Sequence, residues 1–217
     1  MVRVTEDRHD IYSLVFLGRE FDFTEIRLQD LKERGLLSEE LLDELSLELW
    51  MPSQKVFSAS WLKVELLPER IVFVCTDPSE KLSLRDVANS FINQFNLNDN
   101  IEKIGINYTR HVTSINEAEW HRVGNKLMPK DFWSETFNDD ANNFGLLNYE
   151  VKQSERKDKL PGFLVIRVKP LKDFGLECLI NNHIDLSDSN NFDNTATQID
   201  KIFKESNSIV EIFIKNV

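Results

Sequence analysis

The sequence predicts an α+β fold: a mainly antiparallel sheet, or pair of sheets, with helices packed on one face and the chain divided into two comparable halves. Three observations predict it. Strand-like runs follow one another across short turns at residues 56–76 and 145–180, the pattern of hairpins and not of parallel crossovers. Amphipathic stripes open on capping signals beside these runs. The strand-helix alternation of a doubly wound sheet is missing from both stretches, and no GxGxxG turn occurs.

The first element is Ile11–Leu17, rich in β-branched and aromatic residues and ended by Gly18, as suits a half-buried strand. Thr24 caps a short helix to Arg34, with Ile26, Leu28 and Leu31 as its apolar members and Gly35 as the stop. Ser38 caps a second helix: Glu39 and Glu40 take the dipole-favoured first turn, and Leu41, Leu42, Leu45 and Leu49 form a stripe that ends before Pro52. From Val56 the period falls to two. Phe57, Ala59 and Trp61 alternate with Val56, Ser58 and Ser60, then Val64 and Leu66 run toward Pro68, and a turn at Leu67, Pro68 and Glu69 leads into the apolar run Ile71–Cys75.

Ser83 and Asp86 form a capping box for a helix with the stripe Leu84, Val87, Phe91, Ile92 and Phe95. Ile101–Val112 follows as a strand. Ser114 and Glu117 repeat the box and open a helix to about Leu127, with Ile115, Ala118, Val123 and Leu127 inside and Trp120 on that face or at its edge. Residues 128–144, with Pro129, the Asn-rich run and isolated aromatics, break the rhythm and read as a connector folding back onto the body. Three strands come next, Gly145–Ser154, Gly162–Lys169 and Phe174–Ile180, with the charged run Glu155–Lys159 on the first turn between them. After the polar loop Asp185–Asn194, Asp193 caps one long helix in which Ile199, Ile202, Phe203, Ser206, Val210, Phe213 and Ile214 recur at three or four residues. The expected organisation is therefore an N-terminal half over 1–127, a connector over 128–144 and a C-terminal half over 145–217 packed against the first.

A chain of 217 residues and 25.4 kDa can bury roughly 72% of its unfolded surface. It needs no disulfide or structural metal to build a core. The two cysteines, Cys75 and Cys178, lie in apolar runs, and the charged start Met1–Asp10 has no apolar h-region. Both features predict buried, reduced thiols in a cytoplasmic protein. No stretch approaches the roughly 20 apolar residues that cross a bilayer, so no membrane is expected. The net charge of −11 and pI near 4.9 oppose general affinity for nucleic acid and would steer the protein toward basic surfaces.

Motifs for chemistry are sparse. The seven glycines are scattered, and there is no Walker sequence and no GxSxG elbow. His9, His111, His121 and His183 form neither HxH nor HExxH; Asp7, His9 and Asp10 lie close together at the start, and His183, Asp185 and Asp188 make a denser cluster whose loop does not match an EF-hand. In the strand 101–112, Asn107, Thr109 and His111 share one face, and Ile106, Tyr108, Arg110 and Val112 the other. Arg110 with Tyr108 is an anion-binding candidate. The plainer and preferred reading pairs Arg110 with an acid on a covering helix and lets His111 satisfy a loop carbonyl. Arg156, Lys157 and Lys159, diluted by Glu155 and Asp158, read as a solvated hairpin tip.

The order of elements, the strand Ile-Gly-Ile-Asn-Tyr-Thr-Arg at residues 104–110 after the Val87–Phe95 helix, and the long C-terminal helix resemble a sporadically distributed family of uncharacterised bacterial proteins. Its members carry a strand of the form Leu-Gly-hydrophobic-Arg-Tyr-hydrophobic-Asn near their middle. Gly105 and Tyr108 match; Asn107 stands where Arg is usual, and Arg110 does not align with the family Asn. The resemblance spans nearly the whole chain and implies a two-half α+β architecture and a bacterial origin. It implies no activity and no site residue.

The function these features favour is a non-enzymatic protein-interaction or regulatory protein, of the kind that serves a bacterial or phage-related conflict system. The expected partner is another protein with a basic surface. Trp50, Phe132 and Trp133 stand outside the clean core stripes as candidate anchors, with Asp131, Glu135, Asp139 and Asp140 as steering charges. Taken singly, each aromatic has the plainer role of covering a core edge. The alternative is a metal-dependent hydrolase or nuclease using His183, Asp185 and Asp188. A third class, an acidic mimic of nucleic acid, is opposed by the 26 basic residues. No cofactor is expected, and oligomerisation stays open.

Overall fold

Nine strands make one antiparallel sheet in a computed structural model that describes residues 9–113, 116–140, 144–172, 174–187 and 191–217. They are β1 (His9–Gly18), β2 (Ser46–Met51), β3 (Gln54–Ala59), β4 (Leu62–Leu67), β5 (Arg70–Cys75), β6 (Ile101–Thr113), β7 (Tyr149–Gln153), β8 (Gly162–Pro170) and β9 (Gly175–Asp185), in the order β2-β3-β4-β5-β1-β6-β9-β8-β7. The helices are α1 (Leu28–Glu33), α2 (Glu39–Asp43), α3 (Lys81–Gln94), α4 (Glu117–Leu127), α5 (Lys130–Phe137), α6 (Phe192–Ala196) and α7 (Ile199–Asn216).

Period-two alternation gives the sheet one buried face. Leu14 lies opposite Phe73 on one side and Ile106 on the other, and Tyr12 lies opposite Tyr108, which faces Ile180; all are buried. On this face α3 packs against β5 and β1, and α7 against β6 and β9. Leu84, Ala88, Phe91 and Ile92 of α3 and Ile199, Ile202, Phe203 and Val210 of α7 point inward, each large side chain contributing roughly 1.5–3 kcal/mol of burial. The rings of Tyr12, Tyr108 and Phe203 meet at 5.0–5.1 Å. Residues of the opposite face, such as Ser13, Val15, Asn107 and Asn181, are half-buried by their neighbours. The fold is the α+β arrangement of an antiparallel sheet with helices on one face.

The topology repeats although the residues do not. A strand, a helical segment, an antiparallel meander and a closing helix run as β1, α1–α2, β2–β5, α3 and again as β6, α4–α5, β7–β9, α6–α7. In each unit the last meander strand returns to pair with the first, β5 with β1 and β9 with β6, while β1 and β6 pair antiparallel at the middle. The repeat turns over between α3 and β6. One apolar core runs through both units.

Several local expectations are corrected. The helix expected from Ser38 to Leu49 ends at Asp43, and Ser46–Met51 is a strand. Leu49 belongs to the helical stripe but also stands two residues from Leu47, and pairing of both with β3 decides for a strand. The run from Val56 to Leu66 is two strands, because Ser60, at φ +49°, reverses the chain without a Gly, Pro or Asn to mark it. The first helix starts at Leu28 and not after Thr24, whose N–H donates to Asp22 in a turn. α3 begins at Lys81 behind a 3-10 turn capped by Asp77, which leaves Ser83 inside the helix with its hydroxyl on Glu80. Asn116 caps α4; Ser114 and Ile115 lie outside the described residues. The expected connector contains α5. Asn191, not Asp193, caps α6, and the C-terminal helix is interrupted at Thr197 and Gln198 before α7.

Candidate functional site

Polar residues interrupt three inward-facing apolar sets, and α7 gathers them. In β6 the set Ile104, Ile106, Tyr108, Val112 includes Arg110; in β9 the set Leu176, Cys178, Ile180, Ile184 includes Asn182; in α7 the stripe includes Ser206. A buried polar group must find partners or cost several kcal/mol, of order 2–7. Each has found them.

Arg110 donates from Nε and Nη2 to Asp10 at 2.7 and 3.0 Å, from Nη2 to Asn207 Oδ1 at 2.6 Å, and from Nη1 to Glu211. The Tyr108 hydroxyl donates to the same Asn207 oxygen at 3.1 Å. Burial alone would push the guanidinium toward its neutral form; the bonds to Asp10 and Glu211 outweigh it and raise the pKa further. Burial likewise pushes the Tyr108 hydroxyl up. Arg110 thus pairs with an acid on a covering helix, and four of the five N–H groups of this anion-binding candidate are engaged. His111 is corrected: its Nε2 lies 3.3 Å from the Glu177 carboxylate on β9 and not on a loop carbonyl.

Arg156 forms the second network. Its side chain is only 3% exposed, which corrects the expectation of a solvated tip for this residue; Lys157 and Lys159 are exposed. Nε donates to Asp158 Oδ1 at 3.0 Å, Nη2 to Asp158 Oδ2, and Nη1 to Asn182 Oδ1 at 3.1 Å. The Asn182 amide nitrogen then donates to the Ile106 carbonyl at 3.0 Å and the Ser206 hydroxyl at 2.9 Å. Burial pushes the Asp158 carboxyl up, but the Arg156 bonds more than reverse it and hold the pKa below its ordinary value. A cleft of about 620 Å³ opens beside this network between α7 and the β7–β8 hairpin, with Leu164, Ile166, Ile209 and Ile212 among its apolar walls. Part of the sequence signal was present: Ser206 is a polar member of the predicted C-terminal stripe, whereas Asn182 lies beyond the predicted strand end at Ile180, and β9 runs on to Asp185.

α5 presents a third arrangement. Phe132, Trp133 and Phe137 are 62%, 36% and 64% exposed. Trp133 meets Phe132 edge-on at 5.1 Å and stacks on Phe137 at 6.2 Å, which stacks on Phe144 at 5.8 Å. Asp131 and Glu135 lie on the same helix, and Asp139 and Asp140 follow it; all four are exposed. Trp50 is not part of this group. It lies half-buried on the edge strand β2, 6.1 Å from Phe57, with the Lys55 ammonium 5.4 Å over its ring. Lys55 is itself buried and donates to the carbonyls of Phe23, Met51 and Pro52 at 2.7–3.1 Å.

His183 stands on the sheet face away from the helices, stacked on Phe163 at 4.4 Å, with Nε2 3.4 Å from Asp185. Asp188 lies outside the described residues, as does Asp7. Among the described residues no three His, Cys, Asp or Glu side chains gather as a metal site. Cys75 and Cys178 are free and buried, and burial pushes their thiols up to about 11 and about 12. No helix among the described residues is long and apolar enough to cross a membrane. Comparison with models of protein families and with curated proteins gives no match.

Proposed function

We propose that the protein is a protein-interaction or regulatory module, and that α5 is its contact element. The observation that carries this reading is the exposed ring group of Phe132, Trp133 and Phe137 set among four carboxylates. A large apolar patch rimmed by charge is what association surfaces use: desolvated aromatics hold the complex, and charges steer the encounter. Carboxylates outnumber cations here, with only Lys130 opposing Asp131, Glu135, Asp139 and Asp140. The partner that fits has an apolar pocket ringed by Lys or Arg. Bacterial cytoplasm, and a conflict system within it, is the proposed setting.

The test is a photoreactive phenylalanine analogue placed at position 137 in the native host, with a control at the exposed Lys32 on α1. A protein crosslinked only from position 137, and lost on Trp133→Ala, supports the reading. Identical crosslinks from both positions contradict it.

A further inference from the structure

We infer that the cleft between α7 and the β7–β8 hairpin is a binding site for a small amphipathic carboxylate, an acid head on an apolar tail. Its volume of about 620 Å³ lies within the range of roughly 300–1,000 Å³ typical of small-molecule sites. The polar end is built from a buried cation. Arg156 has five N–H groups; three donate to Asp158 and Asn182, and two have no acceptor among the described residues. Donors left over on a side chain 3% exposed call for an acceptor from outside the protein. A carboxylate supplies two acceptor oxygens in the plane a guanidinium prefers.

The charge around the cleft agrees. Arg156, Lys157, Lys201 and Lys204 border it against Asp158 and Glu205, so the site is locally positive in a protein of net charge −11. Lys157 and Lys204 are exposed and have no ion pair among the described residues, which leaves both able to reach an acid head. The opposite wall is apolar. Leu164 and Ile166 on β8 and Ile209 and Ile212 on α7 line it, and Ile212 is 60% exposed although it faces the cleft. The Arg110 network does not offer this. The Arg110 guanidinium is engaged on both flanks by Asp10 and Glu211, and the cleft beside it is polar, with Lys81, Asn207 and Ser208 on its walls.

None of the α5 rings lines this cleft, so the inference is independent of the proposed protein contact. Isothermal calorimetry with decanoate, 1-decanol and phosphatidylglycerol vesicles tests it on the full chain. Decanoate is expected to bind with a Kd below about 100 µM, and 1-decanol at least about tenfold more weakly, because the head and not the tail alone is recognised. Lys157→Glu with Lys204→Glu should weaken decanoate at least about tenfold. Ser208→Trp, which fills the cleft from α7, should abolish binding. Arg156→Lys should weaken it as well; since that variant removes a buried pair, the three exposed substitutions decide the matter if it fails to fold. Equal binding of decanol, no effect of the cleft substitutions, or binding to vesicles without binding to decanoate would each overturn the inference.

Discussion

The amide of Asn182 donates to the hydroxyl of Ser206 at 2.9 Å, so β9 and α7 meet through a polar contact within an interface that is otherwise apolar. The same amide reaches the Ile106 carbonyl on β6, and its oxygen receives Arg156, so one side chain ties two strands and the turn that carries Arg156 to the long helix. Replacing Asn182 by Leu removes all three bonds and leaves Arg156 short of an acceptor. The expected cost is about 2–4 kcal/mol. Ser206→Ala should cost about 1 kcal/mol, because Asn182 keeps Ile106. Urea unfolding of both variants measures the difference, and equal costs would show that the network is not centred on Asn182.

Arg110 joins β6 to β1 and α7 through Asp10 and Glu211. Arg110→Met removes the guanidinium that both carboxylates accept from and should destabilise by about 3–5 kcal/mol. Adding Asp10→Asn and Glu211→Gln to that variant should recover part of the loss. A triple variant no more stable than the single one would show that the cost arises from packing and not from uncompensated charge.

Phe203 is buried against Tyr12, ring to ring at 5.0 Å. Truncation to Ala should cost about 3–5 kcal/mol. Phe213, one of the stripe positions on the same helix, is only half-buried and should cost clearly less. Guanidinium unfolding of the pair ranks them, and a reversed order would mean that α7 is rotated about its axis.

The Arg156–Asp158 pair sets a pH dependence. Because the Asp158 pKa is depressed in the folded chain from its ordinary 3.8, the stability it contributes is complete above that value and is lost as pH falls through the lower folded value. Unfolding midpoints followed below pH 4 should therefore drop less steeply in Asp158→Asn than in the parent. Parallel curves would remove Asp158 from the acid response.

Much of this was legible in the sequence, for reasons visible in particular residues. The alternation at Ile104, Ile106, Tyr108 and Arg110 gives β6 and its inward face directly, and the stripe of α7 gives its length. What failed was chain reversal and choice of period. Ser60 turns the chain without a turn residue's signature, and Leu49 fits a helical stripe or, with Leu47, a strand until β3 decides. Arg156 looked like part of a charged tip because local composition cannot show that the turn folds under α7. Ser206 stood out as a polar member of the α7 stripe, but Asn182 lay past the predicted strand end, and their meeting was not legible, since it requires residues 156, 182 and 206 to come together in space. The exposed rings of Phe132 and Trp133 were legible as aromatics outside the core stripes, whereas the helix that aligns them with Phe137 was not.

The contact role of α5 is tested by surface plasmon resonance, at two ionic strengths, of the parent and of Trp133→Ala against the protein crosslinked from α5. Trp133→Ala should lose at least about 2 kcal/mol in affinity, expressed mainly as faster dissociation, with unchanged far-UV dichroism. Neutralising Asp139 and Asp140 should instead slow association and flatten its salt dependence. Unaltered affinity and unaltered association in these variants would contradict α5 as the contact element.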